Sequence, residues 1–234
     1  DLRVLRDFPS VWACATPTLP DGVSERSIQP RWLDWVQRLQ ANAQIGLTYA
    51  QNHYDEERYE KILAIAEEIA TAQTGADPHV VHSLFTKDKS YATPKVDVRG
   101  AVFDDDALLL VREVMDHDRW TLPGGWADVG DTPAEAVERE VLEESGFETR
   151  AVKLLGVYDR RLHGHAPPEF HTYKLIFRCE RTGGEALTSH ETSEVAFFRE
   201  EAIPDDLSLA RTTPSQIKRL FEHFRNPDQP TDFD

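Results

Sequence analysis

The sequence predicts an α+β chain: a small helical N-terminal domain, then a larger domain in which strands, one helix and further strands follow in order. Three observations carry this reading. Between residues 31 and 74 two segments repeat apolar side chains every three to four positions, the period of one helix face. KVDVRGAVF and ALLLVRE, beginning at residues 95 and 107, read as strands, and the aspartates at 104–106 make the turn of a hairpin between them. After that hairpin Thr132, Pro133 and Glu135 form a capping box with proline in the first helical position, so a helix starts there.

Residues 1–28 hold Pro9, Pro17, Pro20 and Gly22 with no sustained period and read as an irregular leader. Residues 29–74 form the helical module. Its first helix carries Trp32, Val36, Leu39 and Ala43, and its second carries Tyr59, Ile62, Ala66 and Ile69. Asp55 is expected to cap the second, with Glu56 and Glu57 favourable in its first turn. A helix pair this short buries little core alone, so it either covers the next domain or pairs with another copy, and a homodimer is the preferred expectation. Residues 75–94, with Gly75, Pro78 and Pro94, read as a linker holding a short element around 80–85. In residues 95–234 further strands are expected at 151–158, 171–179 and 194–199. Thr213 and Pro214 then open a helix whose Ile217, Leu220, Phe221 and Phe224 make a stripe that should pack on the sheet. The last ten residues read as a polar tail.

With 234 residues, 40% hydrophobic and 29% charged, the chain suits one or two soluble globular domains. Its longest aliphatic run, residues 107–111, is far too short for a membrane span, and no signal peptide is evident, so the cytoplasm is the expected location. Cys14 and Cys179 are too few for a disulfide framework and are expected as unpaired thiols. A net charge of -16 argues against broad affinity for nucleic acid, and an anionic substrate would need metal ions beside it. No GxSxG elbow, P-loop or Cys and His nucleophile pair offers a competing chemistry.

The helix opened by Thr132 ends at Gly146, where a left-handed residue is usual. Glu140, Glu143 and Glu144 share one arc of it, since residues three and four apart lie on one face, whereas Ala136, Val137 and Val141 point toward a sheet. Three converging carboxylates repel one another unless water screens them or a cation compensates them, and hard oxygen donors point to Mg2+ or Mn2+. The bland alternative is a solvated acidic face. TLPGGW, ending at Trp126, argues against that alternative, because two glycines let backbone groups approach a metal-bound phosphate closely.

GWADVGDTPAEAVEREVLEESGF, residues 125–147, resembles the Nudix box, Gx5Ex7REUxEExGU, where U is bulky and apolar. Gly125, Arg139, Glu140, Glu143, Glu144 and Gly146 match, and Asp131 replaces the first glutamate with a carboxylate one methylene shorter. The resemblance implies a mixed β-sheet in an α/β/α sandwich and a metal-dependent phosphoanhydride hydrolase. It implies that Glu140, Glu143 and Glu144 hold the divalent ions, that the Gly125 carbonyl adds a ligand and that Arg139 orients a glutamate. The ions would neutralise and position a pyrophosphate linkage and lower the pKa of a water that attacks phosphorus in line. The general base in such enzymes often lies outside the box, and Glu191 is the candidate; Glu194 beside it and Glu144 are alternatives.

Residues 158–171 gather Arg160, Arg161, His163, His165 and His171 and read either as a phosphate or base subsite or as a proline-stiffened solvated loop. Arg99 and Arg112 are further phosphate-binding candidates, or partners of surface acids. Residues 32–62, WADVG, YDRRLHGH and HETSEVAFF also resemble the CDP-choline pyrophosphatases among Nudix enzymes. That resemblance implies cleavage of CDP-choline to CMP and phosphocholine. Hydrolysis of a nucleoside triphosphate or of ADP-ribose is the alternative within enzymes, and a regulatory domain that only binds a nucleotide is the alternative outside them. Some relatives trim RNA ends, which the acidic charge disfavours here.

Overall fold

Pro30 cannot donate a backbone hydrogen bond, but its carbonyl accepts from the amides of Leu33 and Asp34, and from there Arg31–Tyr49 (α1) runs as a helix. The computed structural model describes residues 30–165 and 171–234, so the expected leader and Cys14 lie outside the described residues. The chain divides into two compact units, Asp1–Pro94 and Lys95–Asp234.

In the first unit α1 is followed by His53–Thr74 (α2) and Pro78–Phe85 (α3). Asn52 caps α2 by accepting the Asp55 amide at 3.0 Å, so Asp55 sits inside the first turn and is not the cap. Gly75, at φ 69°, ends that helix in the left-handed conformation. Residues 78–85 are helical within the stretch expected as linker: Asp77 accepts the His79 amide at 2.7 Å and Pro78 opens the turn. Val81 of α3 completes a small core with Val36, Ala66 and Ala70. The apolar stripes are displaced from those expected: Leu33, Leu63, Ala66 and Ala70 are buried, while Trp32, Leu39 and Ile69 are only partly buried beside the core.

In the second unit Lys95–Asp104 (β1) and Ala107–Glu113 (β2) form the hairpin, turned by Asp105 at φ 51°. Arg119–Thr121 (β3), Pro133–Ser145 (α4), Phe147–Asp159 (β4), Thr172–Gly184 (β5), Thr192–Arg199 (β6), Pro214–Arg225 (α5) and Asp232–Phe233 (β7) follow. The strand order is β3-β2-β1-β5-β4-β7, with β6 on β2. The sheet is mixed: β1 and β5 pair in parallel from Lys95↔Thr172 to Val102↔Cys179, while β4 and β5 pair antiparallel.

Strand alternation sends the two faces of this sheet to different helices. Val98, Val102 and Leu109 meet Ala136, Val137 and Val141 of α4. Ala101, Leu108, Leu110 and Ile176 meet Ile217, Leu220 and Phe221 of α5, and Phe224 stacks on Phe103 at 4.4 Å. This is the expected sandwich. Among the described residues no helix is long and apolar enough to cross a membrane.

The polar tail is replaced by a docked strand. β7 pairs in parallel with β4 through Gly156↔Asp232 and Val157↔Phe233. The Asp232 carboxylate accepts from Arg219, from His223 Nε2 at 3.0 Å and from the Tyr158 hydroxyl at 3.1 Å, which supplies the reason a charged terminal segment packs down. Those bonds, the one from Arg219 first, hold the Asp232 carboxyl well below the usual carboxylate range. A carboxylate whose folded pKa is depressed contributes stability that is present above its unfolded pKa of about 3.9 and is lost as pH falls. Asp232→Asn is therefore expected to cost about 1–3 kcal/mol at pH 7 in urea unfolding, with the gap to wild type narrowing progressively below about pH 4. A gap that did not change with pH would contradict this account of the tail.

Candidate functional site

The site is assembled from α4 and the loop that precedes it. Both ends of α4 are specified as read: Thr132 and Glu135 cap each other's backbone, Pro133 opens the helix and Gly146 ends it at φ 77°. With Ala136, Val137 and Val141 committed to the sheet, the remaining faces carry Arg139, Glu140, Glu143 and Glu144. Side-chain exposure separates the three glutamates: 12% for Glu140, 60% for Glu143, and only 4% for the Glu144 residue.

The loop runs back along β1. Gly100 donates to the Pro123 carbonyl, Val98 to the Gly125 carbonyl at 2.8 Å, and Ala127 to the Val96 carbonyl. Gly124 lies between these rungs at φ 142°, and a Cβ there would fall 2.1 Å from the Val98 carbonyl oxygen, so only glycine fits. Its amide donates to Glu144 Oε2 at 2.8 Å. A Cβ on Gly125 would meet Glu140 Oε2 at 2.6 Å, which shows that the Glu140 carboxylate lies directly over that glycine. The loop therefore touches two of the three glutamates.

Arg139 gathers the acids around it. Its Nη1 donates to Glu140 at 2.9 Å and to Glu143 at 3.2 Å, its Nε donates to Asp131 at 3.2 Å, and Asp128 lies 3.5 Å from Nη2. The shorter Asp131 side chain thus still reaches the arginine. Burial pushes Glu144 up to about 8, opposed by Arg99 and the Gly124 amide, and burial also raises Glu140 against the pull of Arg139.

Two carboxylates raised by burial, with a third beside them, form an oxygen donor set suited to a hard divalent cation. Among the described residues no three His, Cys, Asp or Glu side chains already converge on one point, because Arg139 draws Glu143 and Glu140 sideways while Gly124 holds Glu144. The Gly125 carbonyl keeps one lone pair beyond its bond to Val98.

The other residues singled out lie as follows. Arg99 is only 3% exposed, is ion-paired with Asp97 and donates to the Leu122 carbonyl, so it is not open to a phosphate. Arg112 pairs with Asp206 at 2.9 Å and lies over the Trp120 ring. Arg160 donates to the Ala210 carbonyl, Arg161 forks onto Asp159, and His163 meets Asp234 at 2.8 Å. His165 is buried against the Leu209 carbonyl, and burial lowers it to about 3. Glu191 is half-exposed beside His190 at the turn before β6, and the neighbouring Thr192 hydroxyl donates to the Glu144 carbonyl at 2.7 Å.

Sequence reasoning passed over Asp97, Lys174 and Thr192, and it read the glycines of TLPGGW as facing a phosphate where Gly124 instead holds Glu144. The available signal was charge at core positions: Asp97 and Arg99 alternate on one face of an otherwise apolar strand, and Lys174 breaks another. Gly124→Ala is expected to cost about 2–4 kcal/mol, because backbone atoms block the new methyl. Gly125→Ala should cost under about 1.5 kcal/mol, because only the flexible end of Glu140 must move. Urea unfolding of both variants would refute this account if the two losses proved equal.

Residues 30–85 match a family described as a UDP-X-like, N-terminal oligomerisation domain, and residues 93–222 match the NUDIX domain family. YjhB of Bacillus subtilis, provisionally named an ADP-ribose pyrophosphatase, is 44% identical over 207 residues, which are 88% of this chain and 99% of the relative. The crystal structure of a UDP-X diphosphatase is 29% identical, with a TM-score of 0.56 over 87% of this chain and 98% of that one. An ADP-ribose pyrophosphatase from Streptococcus suis 89-1591 is 33% identical, with a TM-score of 0.55 over 61% of this chain and 100% of that one.

Proposed function

The chain belongs to the Nudix hydrolase family, and from that premise we propose that it is a divalent-metal-dependent pyrophosphohydrolase of nucleoside diphosphates linked to a second group. The observation that carries this reading is the buried Glu144 held by the Gly124 amide, with Glu140 seated over Gly125 one helical turn away. Glu140, Glu143 and Glu144 would hold Mg2+ or Mn2+, with the Gly125 carbonyl as a further donor. When bound, the ions supply charge neutralisation of the pyrophosphate and activation of the attacking water.

The remaining work falls to the chain's own side chains. Arg139 keeps Glu140 and Glu143 on one side of α4 and limits their repulsion. Gly124 fixes the carboxylate of Glu144 at one oxygen and leaves the other unengaged by that amide. We assign proton removal to Glu191, with Glu144 as the alternative, and substrate selection to Arg112, Arg160, Arg161 and His163. Within the substrate class CDP-choline is the first reading, on WADVG, YDRRLHGH and HETSEVAFF, with CMP and phosphocholine as products. ADP-ribose is the second, favoured by the names of the Bacillus and Streptococcus relatives.

The test is chromatographic product identification after incubation with Mg2+ or Mn2+ and CDP-choline, ADP-ribose, UDP-linked sugars or nucleoside triphosphates. A nucleoside monophosphate plus a phosphorylated group is expected, and Glu144→Gln should cut turnover at least about a hundredfold, since even residues that only support a metal ligand cost about 10- to 100-fold. Release mainly from triphosphates would move the substrate class, and no turnover with any ion would leave a binding domain. Residues 30–85 are proposed to hold two copies together, supported by the exposed Trp35, Tyr54 and Ile65 on their helices. A solution mass of two chains at micromolar concentration is expected, and a strict monomer would overturn the pairing.

A further inference from the structure

We propose that Arg99, fixed in place by Asp97 and Lys174, is a positioning residue that sets the 122–125 loop and through it the carboxylate of Glu144; this rests on the reading of the site as a metal-dependent hydrolase. Each nitrogen of the guanidinium is engaged. Its Nε and Nη2 each donate to one oxygen of Asp97 at 2.9 Å, and its Nη1 donates to the Leu122 carbonyl at 3.0 Å. Asp97 is held from the other strand by Lys174 Nζ at 2.8 Å, and Asp97 and Lys174 face each other in the β1 and β5 register. All three side chains are buried, Arg99 at 3% and Lys174 at 1% exposure. A planar fork held at both ends is a rigid reference point.

The loop rests on that reference point twice. Leu122 hangs from the guanidinium by its carbonyl, and Gly124 lies against the arginine stem so closely that a Cβ would stand 2.9 Å from Arg99 Cα and 3.0 Å from Cδ. The amide of that same Gly124 is the donor to Glu144. A single residue, Pro123, therefore separates the bond Arg99 makes from the bond that aims the glutamate. With the solvent excluded from Arg99, its charge acts on the site through this fixed geometry and not as a ligand for substrate phosphate.

Arg99→Lys keeps the charge and removes the fork, so it cannot hold both Asp97 oxygens and the Leu122 carbonyl together. The full chain would be titrated with Mn2+ alone, reading free Mn2+ by electron paramagnetic resonance, and assayed on the nucleotide that the wild type cleaves best. Far-UV circular dichroism would establish that each variant is folded. We expect Mn2+ affinity and kcat to fall about 10- to 100-fold with KM within about threefold, the range seen when a residue supporting a metal ligand is lost. The decisive comparison is a double-mutant cycle with Glu144→Gln: in that background Arg99→Lys should change Mn2+ affinity less than threefold. Should Arg99→Lys fail to fold, Lys174→Met, which leaves the Arg99 and Asp97 pair intact, takes its place in the same cycle with the same sign expected. Wild-type affinity in the folded variant, or an undiminished effect beside Glu144→Gln, overturns the proposal while the hydrolase reading stands. Absence of Mn2+ binding and turnover in the wild type itself overturns both.

Discussion

The ion pair between Asp97 and Lys174 is the contact on which the rest of the second unit depends. The two residues are partners in the register of β1 and β5, and both side chains are buried on the same face. Burial alone would raise Asp97, but the facing Arg99 and Lys174 cations hold it well below the usual carboxylate range; burial pulls Lys174 down to about 7. A slip of one residue would put Asp97 and Lys174 on opposite faces and leave the buried Lys174 without its carboxylate, at a cost of several kcal/mol. Once the register is set, Val98 and Gly100 are in place to accept the loop, and the loop in turn places Gly124 and Gly125 beside α4.

The acidic face of α4 is then a problem of crowded like charge. One arginine serves four acids, Asp128, Asp131, Glu140 and Glu143, while Glu144 turns the other way into the loop. An ion attracted to Glu140 and Glu143 competes with a guanidinium already bonded to them. The arrangement therefore limits the repulsion among the acids of α4 from within the chain.

Much of this was legible in the sequence where the signal is local. The capping box of α4, the Thr213 cap of α5, the glycine that ends α4, the hairpin and the spacing of Glu140, Glu143 and Glu144 are all encoded within a few residues of one another, and each stands in the structure where it was read. What could not be read depends on partners distant in the chain. Arg99 looked like an anion ligand because the Leu122 carbonyl that takes its third bond, and the Lys174 that holds its partner Asp97, come from other elements. The terminal segment looked solvated because Arg219, His223 and Tyr158 are not adjacent to Asp232. Asp77 and Pro78 were a local signal for α3 that the neighbouring glycine and prolines obscured.

The parallel pairing of β1 with β5 also has a bearing on how the chain folds. β2, β3, α4 and β4 all lie between those strands in sequence, so the central ladder closes late, whereas the helical unit makes its contacts between neighbours. Until β5 arrives, β1 presents a long apolar edge of the kind that adds to any strand it meets. Asp97 and Arg99 stand at alternate positions on that edge. The charges that later lock the correct partner thus also discourage a wrong one, since an intruding strand would have to bury the Asp97 and Arg99 pair without the bond that Lys174 gives Asp97.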